Sequence, residues 1–211
     1  MWFIYLMHLM VSQGHATTQQ SFGRMCDRQT FVIVDANLGP EMVQYAKTII
    51  QYWNRIVGWD LLVYGTQMDL TDIGDKPPFI LIRRIPEHEM YDRDVKRIGG
   101  NATKFILRVN GPKVCIVGSS VYSRQIGDDI QYDSVHKNGD TTVYWGDDRV
   151  TKYTSERAYF TLMHELGHAI GLHLFHHSVD EHSLMYSKYR ATERLGDDTL
   201  SDLHKLYGDK R

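Results

Sequence analysis

Between Thr161 and Tyr186 the chain reads TLMHELGHAIGLHLFHHSVDEHSLMY, and this stretch holds six of its eleven histidines: His164, His168, His173, His176, His177 and His182. His164 and His168 are four residues apart. On a helix they project about 40° apart on one face, so the two imidazoles can share one metal ion. Glu165, beside the first of them, is placed to take a proton from a water activated by that metal, which is the chemistry of metal-assisted hydrolysis. Leu162, Leu166, Ala169, Ile170 and Leu172 give the same segment an apolar side for a core. Gly171, three residues past His168, can adopt a left-handed conformation and stop the helix, so the chain can turn back to the metal. A third nitrogen arriving from there completes a three-ligand zinc site whose fourth position stays open for water. His173, His176 and His177 compete for that place. The alternative is a buried amphipathic helix whose histidines only satisfy hydrogen bonds.

The run His164-Glu165-Leu166-Gly167-His168 reads as the H-E-x-x-H signature of zinc peptidases. With the residues after it, the chain resembles a metzincin, most closely a matrixin-type protease. That family continues to H-E-x-x-H-x-x-G-x-x-H-S and then a methionine turn, S-[IL]-M-Y, matched here by Ser183-Leu184-Met185-Tyr186. One departure is informative. The family's third histidine falls three residues after the glycine, where this chain has Leu174. His177 is followed by Ser178 and stands eight residues before Met185, the family's usual separation. The expected arrangement is therefore a three-residue insertion after Gly171, with His177 as the third ligand. Spacing from the glycine favours His173, and His176 would need only a small loop adjustment, so both stay open.

The resemblance implies a zinc endopeptidase acting on a protein or peptide substrate, with one catalytic Zn2+, Glu165 as general base and Met185 as an apolar floor under the metal. Tyr186 and Tyr189 match the family's M-Y-P-x-Y, whose last tyrosine lines the pocket for the side chain just after the cut. An apolar side chain is expected there. Ser187 stands where the family has proline. Leu195 to Gly208 matches the closing matrixin helix, with Asp197 or Asp198 expected as its cap and Leu200, Leu203, Leu206 and Tyr207 packing inward. The resemblance is dense over 161–208, loose over 30–85 and absent over about 87–135.

The elements that must hold these residues read as an α+β domain of metzincin type: a mixed, twisted sheet carrying two long helices, then a C-terminal subdomain with the third ligand, the methionine turn and a third helix. Phe31 to Val34 reads as a buried strand and Pro40 to Val57 as a helix burying Met42, Ala46, Ile49, Ile50, Trp53 and Ile56. Trp59 to Tyr64 and Phe79 to Ile85 read as strands divided by a polar turn with Asp75, Pro77 and Pro78. Glu87 to Gly100 reads as a surface excursion. Thr103 to Val109 and Lys113 to Val117 flank the hairpin signal Asn110-Gly111, Thr141 to Trp145 is a further strand, and Ser155 opens the histidine-bearing helix. In metzincins an antiparallel edge strand beside the cleft binds the substrate backbone by strand addition. Lys113 to Ser119 is the candidate. Gly127 to Asp148 reads as an oxygen-rich loop, with Asp128, Asp129, Asp133, Asp140, Asp147, Asp148 and His136. The resemblance implies structural calcium and a second zinc near here, but the family's ligand run is not recognisable, so calcium is unsupported and no structural metal is assigned.

With 211 residues the chain suits one domain. Residues 30–211 are expected to form it, with 17–29 a short N-terminal segment and 1–16 a secretory signal. The apolar run Met1 to Val11 is too short to span a bilayer, and Gly14 and Ala16 supply small residues before a cleavage site. No Lys or Arg precedes that run, which leaves an uncleaved tail or a buried terminal strand as alternatives. A secreted, monomeric protein without membrane insertion is expected. Net charge is −2 with both signs mixed, which gives no electrostatic footprint for nucleic acid. Cys26 and Cys115, the only cysteines, can pair in an oxidising compartment. Their alternatives are two buried thiols, or Cys26 plugging the zinc, although Gly23-Arg24-Met25-Cys26-Asp27 lacks the family's P-R-C-G-x-P-D switch. Two other functional classes stay open: a zinc-binding but inactive secreted module, and a structural or adhesive protein with an unrelated histidine-rich helix.

Overall fold

A computed structural model describes residues 22–68, 79–85, 100–110, 113–138, 141–174 and 176–208. Its elements in chain order are β1 (Phe22–Met25), β2 (Thr30–Asp35), a 3-10 turn (Ala36–Leu38), α1 (Pro40–Val57), β3 (Leu62–Met68), β4 (Ile80–Arg84), β5 (Gly100–Asn110), β6 (Lys113–Ser123), β7 (Asp129–Asn138), β8 (Thr141–Lys152), α2 (Ser155–Ala169) and α3 (Asp197–Tyr207). This is an α+β architecture. The main sheet runs β3-β2-β4-β6-β5, with β1 beside the first part of β6 and β4 beside the second. Every pairing in it is parallel except β5 on β6, which is antiparallel over Gly100↔Ser123 to Asn110↔Lys113.

The sheet's apolar residues meet α1 and α2. Pro40 sits at the start of α1, where its missing N–H is no loss and its fixed φ suits a helix. Met42, Ala46, Ile49, Ile50 and Trp53 recur at helical spacing and are all buried, as the sequence pattern predicts. Ile56 is not: it is 38% exposed, and Val43 and Tyr52 are buried on that helix instead. The Trp53 indole N–H donates to Met163 O at 3.1 Å, so α1 is tied to the middle of α2. Tyr207, at the end of α3, donates to Ile170 O at 2.5 Å and accepts from the Met25 amide at 3.2 Å. One buried hydroxyl thus joins the last helix to the end of α2 and to β1. Cys26 and Cys115 form a disulfide across 89 residues of sequence, which excludes both the free thiols and the Cys26 plug. Closing a loop of that length stabilises a fold by roughly 4–5 kcal/mol in the chain-entropy account.

Three sequence expectations are corrected by the fold. The second strand begins at Leu62, not Trp59. Gly127 to Asp148 is not a loop: most of it forms the β7–β8 hairpin, because Tyr132, Val135, Val143, Tyr144 and Trp145 supply the residues that favour paired strands. Lys113 to Ser119 is not an edge, since β6 has β5 on one side and β1 and β4 on the other. Among the described residues, the antiparallel edge strand is β5. The expected secretory signal, the Asp75-Pro77-Pro78 turn, Glu87 to Gly99, Gly111 and the side chains of Asp133, His136, Asp140, Asp147 and Asp148 lie outside the described residues.

Candidate metal centre and cleft

Helix α2 opens with the Thr154 hydroxyl accepting from the Arg157 amide at 3.2 Å and ends where Gly171 takes φ 103°. That left-handed turn sends the chain back across the helix. Leu172 O accepts the Nδ1–H of His168 at 2.9 Å, and Leu184 O accepts the Nδ1–H of His164 at 2.7 Å. A carbonyl can only accept, so both Nδ1 atoms carry the proton and both Nε2 atoms carry a lone pair. Those two Nε2 atoms face each other at 3.0 Å. Burial holds His164 down at about 4 and His168 at about 3, so neither is protonated near neutral pH. Two bare lone pairs at that separation repel unless a cation lies between them.

His177 completes the group. Its ring lies 5.4 Å from that of His164 and 5.1 Å from that of His168, and one donor atom from each of the three falls within 4.8 Å of the others. His173 and His176 point elsewhere, into a group with Asp202. His182 is exposed beside Glu181. The residues after His177 are held on two sides. Ser178 N donates to Met185 O at 2.8 Å, and Asp198 accepts from the Ser178 hydroxyl at 2.8 Å and the Val179 amide at 2.9 Å. Asp198 therefore grips the ligand loop and does not cap its helix, whose N-cap is Gly196 without a side-chain bond. On the same helix Leu200 is 45% exposed, against expectation, while Thr199, Leu203 and Tyr207 are buried and Leu206 is half-buried.

Met185 is fully buried beneath α2. It can approach because residue 167 has no side chain: a Cβ there would stand 2.6 Å from Met185 Sδ and 2.9 Å from Trp53 Cζ2. The glycine of the pentapeptide is thus a packing requirement of the methionine turn.

Glu165 reaches towards β5. Its Oε2 accepts from the Ala102 amide at 2.7 Å. Burial raises the carboxyl to about 7, with the amide working against that rise. Because the Ala102 amide reaches Glu165, the free edge of β5 faces the cleft. A pocket of about 180 Å³ opens beside it, lined by Glu165, His164, Leu184, Tyr186, Tyr189, Phe160, Arg157 and Arg190. Arg157 lies over the Tyr189 ring at 5.2 Å and Arg190 over the Tyr186 ring at 5.1 Å. These arginines were missed in the sequence. For Arg157 the signal was present, since Arg157, Phe160, Thr161 and His164 fall at i, i+3, i+4 and i+7 on one helix face. For Asp198, Ala102 and Arg190 no local pattern gives the contact.

Residues 105–208 match the family model described as Matrixin. Over that stretch the chain is similar to the matrixin domain, a metalloprotease-type domain, and the α+β fold is consistent with it; the match spans α2, the methionine turn and α3. No curated protein matches the chain. No helix among the described residues is long and apolar enough to cross a membrane.

Proposed function

We propose that the protein is a secreted zinc endopeptidase in which His164, His168 and His177 hold the metal. The observation that carries this reading is the pair of Nε2 lone pairs converging at 3.0 Å, with His177 in reach and Glu165 lining the same pocket as His164. Zinc bound there would polarise the scissile carbonyl and acidify water. Glu165 takes the proton of the attacking water and passes it to the leaving amine, and a carboxyl near 7 is suited to both directions of transfer. The free edge of β5 receives the substrate backbone by strand addition, and the adjacent pocket takes the side chain after the cut. Phe160, Leu184 and the two tyrosines favour an apolar stem, while Arg157 and Arg190 favour an acidic end. The disulfide suits an oxidising compartment, in keeping with export.

A peptide-library digest tests this. Cleavage that a chelator abolishes and zinc restores supports it, whereas bound zinc without cleavage would make the chain an inactive zinc module. His177→Ala should lose cleavage and His173→Ala should keep it. The reverse order would put the third ligand directly after the helix.

A further inference from the structure

The two histidines that the catalytic group leaves aside are not idle. His173 Nδ1 lies 3.0 Å from His176 Nε2 and 3.6 Å from Asp202 Oδ2. We propose that His173, His176 and Asp202 form a second site for a divalent ion of the zinc type, which ties the segment after Gly171 to α3. These are different residues from the oxygen-rich stretch of β7 and β8.

The hydrogen bonds around His173 set its chemistry. Thr199 Oγ1 is 3.3 Å from Asp198 Oδ1, a carboxylate that can only accept, so the threonine proton points there. Thr199 Oγ1 must then accept from His173 Nε2, 2.9 Å away. His173 Nδ1 is left with a lone pair aimed at His176 Nε2, beside the negative Oδ2 of Asp202. One feature recurs from His164 and His168: a ring nitrogen left bare, because the other is fixed by an outer acceptor, at 3.0 Å from a second imidazole. The His176 tautomer is not fixed in this way, and its Nε2 turns a lone pair to the site when its Nδ1 carries the proton. A tetrahedral ion with bonds near 2.0–2.1 Å holds its nitrogens about 3.3 Å apart, so little movement is needed to admit one.

Asp202 divides its oxygens. Lys205 Nζ takes Oδ1 at 2.9 Å, which leaves Oδ2 on the histidine side. The backbone supplies a separate indication. Among the described residues, His173 is the one non-glycine residue with positive φ, at 48°, a left-handed conformation that survives only where the surroundings impose it. His173 is buried, while His176 is exposed and Asp202 half-buried, so an ion can reach the site from solvent. His176 directly precedes His177. The second ion would therefore fix the segment that carries the third catalytic ligand, which gives the inserted residues a role.

The competing state is the neutral His176 tautomer whose Nε2–H donates to His173 Nδ1 with no ion present, and metal stoichiometry separates the two. The untagged chain, stripped with a chelator, is dialysed against excess Zn2+ and its bound zinc measured by mass spectrometry, with circular dichroism to check folding. Two equivalents are expected for wild type, one for His176→Gln with Asp202→Asn, and one for His164→Gln with His168→Gln. One equivalent in wild type that is lost with His164 and His168 overturns the proposal, as do two equivalents unchanged in the His176/Asp202 variant. One equivalent that survives loss of His164 and His168 but disappears with His176 and Asp202 supports this site and removes the protease reading. No zinc at all overturns both.

Discussion

Asp198→Asn isolates the grip on the segment just after His177, the proposed third ligand. Asp198 Oδ1 accepts from the Ser178 hydroxyl at 2.8 Å and the Thr199 amide at 2.7 Å, and Oδ2 accepts from the Val179 amide at 2.9 Å. Burial pushes this carboxyl up, but the bonds from Val179, Ser178 and Thr199 outweigh it and hold the group below its ordinary 3.8. Asparagine keeps only one acceptor oxygen. If that oxygen serves Ser178 and Thr199, the new NH2 meets the Val179 amide, donor against donor. Losing a hydrogen bond to a charged acceptor costs about 1.5–3 kcal/mol. At 1.4 kcal/mol per decade this is roughly 10–100-fold in the zinc affinity of the catalytic group, the range expected for a residue that orients a ligand. The assay is peptide hydrolysis against buffered free zinc, for wild type and variant. The variant curve should shift to 10–100-fold higher zinc and reach a similar plateau, since Glu165 and the pocket are untouched. Superimposed curves would refute the grip. A carboxyl with lowered pKa contributes above its unfolded value, so the grip should persist down to about pH 3.8 and fade as pH falls through the lowered value.

Gly167→Ala gains about 1 kcal/mol of helix propensity but forces a Cβ onto Met185 and Trp53, an overpacking cost of about 1–3 kcal/mol. A urea midpoint lower than wild type is expected, and one raised above wild type would contradict the packing described. Arg190→Met should lower kcat/KM for peptides with Glu after the cut by roughly 10–100-fold relative to Leu, the value of one charge-assisted bond; an unchanged ratio would remove Arg190 from the pocket's selectivity. In the metal-free protein His164 and His168 titrate at about 4 and about 3, against 6.5 unfolded. The unfolded chain then binds more protons between those values, so stability should fall as pH drops from about 6.5 towards 4, at about 1.4 kcal/mol per pKa unit per group. Urea titrations at a series of pH values should show this for wild type and a flatter profile for His164→Gln with His168→Gln; equal profiles would contradict the buried, neutral histidines.

The histidine-bearing helix was legible because its information is local. The four-residue histidine spacing, the apolar positions and Gly171 all act within two turns, and the α+β class followed from the resemblance of 161–208 to matrixins together with the strand and helix patterns. Pairing between distant strands was not legible. Thr103 to Val109 and Lys113 to Val117 both read as strands, with Lys113 to Ser119 as the candidate edge, and only the assembled sheet shows that β5 lies outside β6. Asp198 looked like a cap because acidic residues often open helices, yet its partners Ser178 and Val179 lie 20 and 19 residues earlier. Leu200 and Ile56 fit the helical period but fall at the margin of their buried faces, where packing, not spacing, decides exposure.

Glu165→Gln keeps the size and shape of the side chain while removing its capacity to accept a proton, so it tests the central claim most directly. Zinc content and hydrolysis of a cleaved peptide should be measured on the same preparations of wild type and variant. Unchanged zinc with turnover reduced by about 10²–10⁴-fold is the predicted result. Full activity in the zinc-loaded variant would contradict Glu165 as the base and, with it, the hydrolytic mechanism assigned to this cleft.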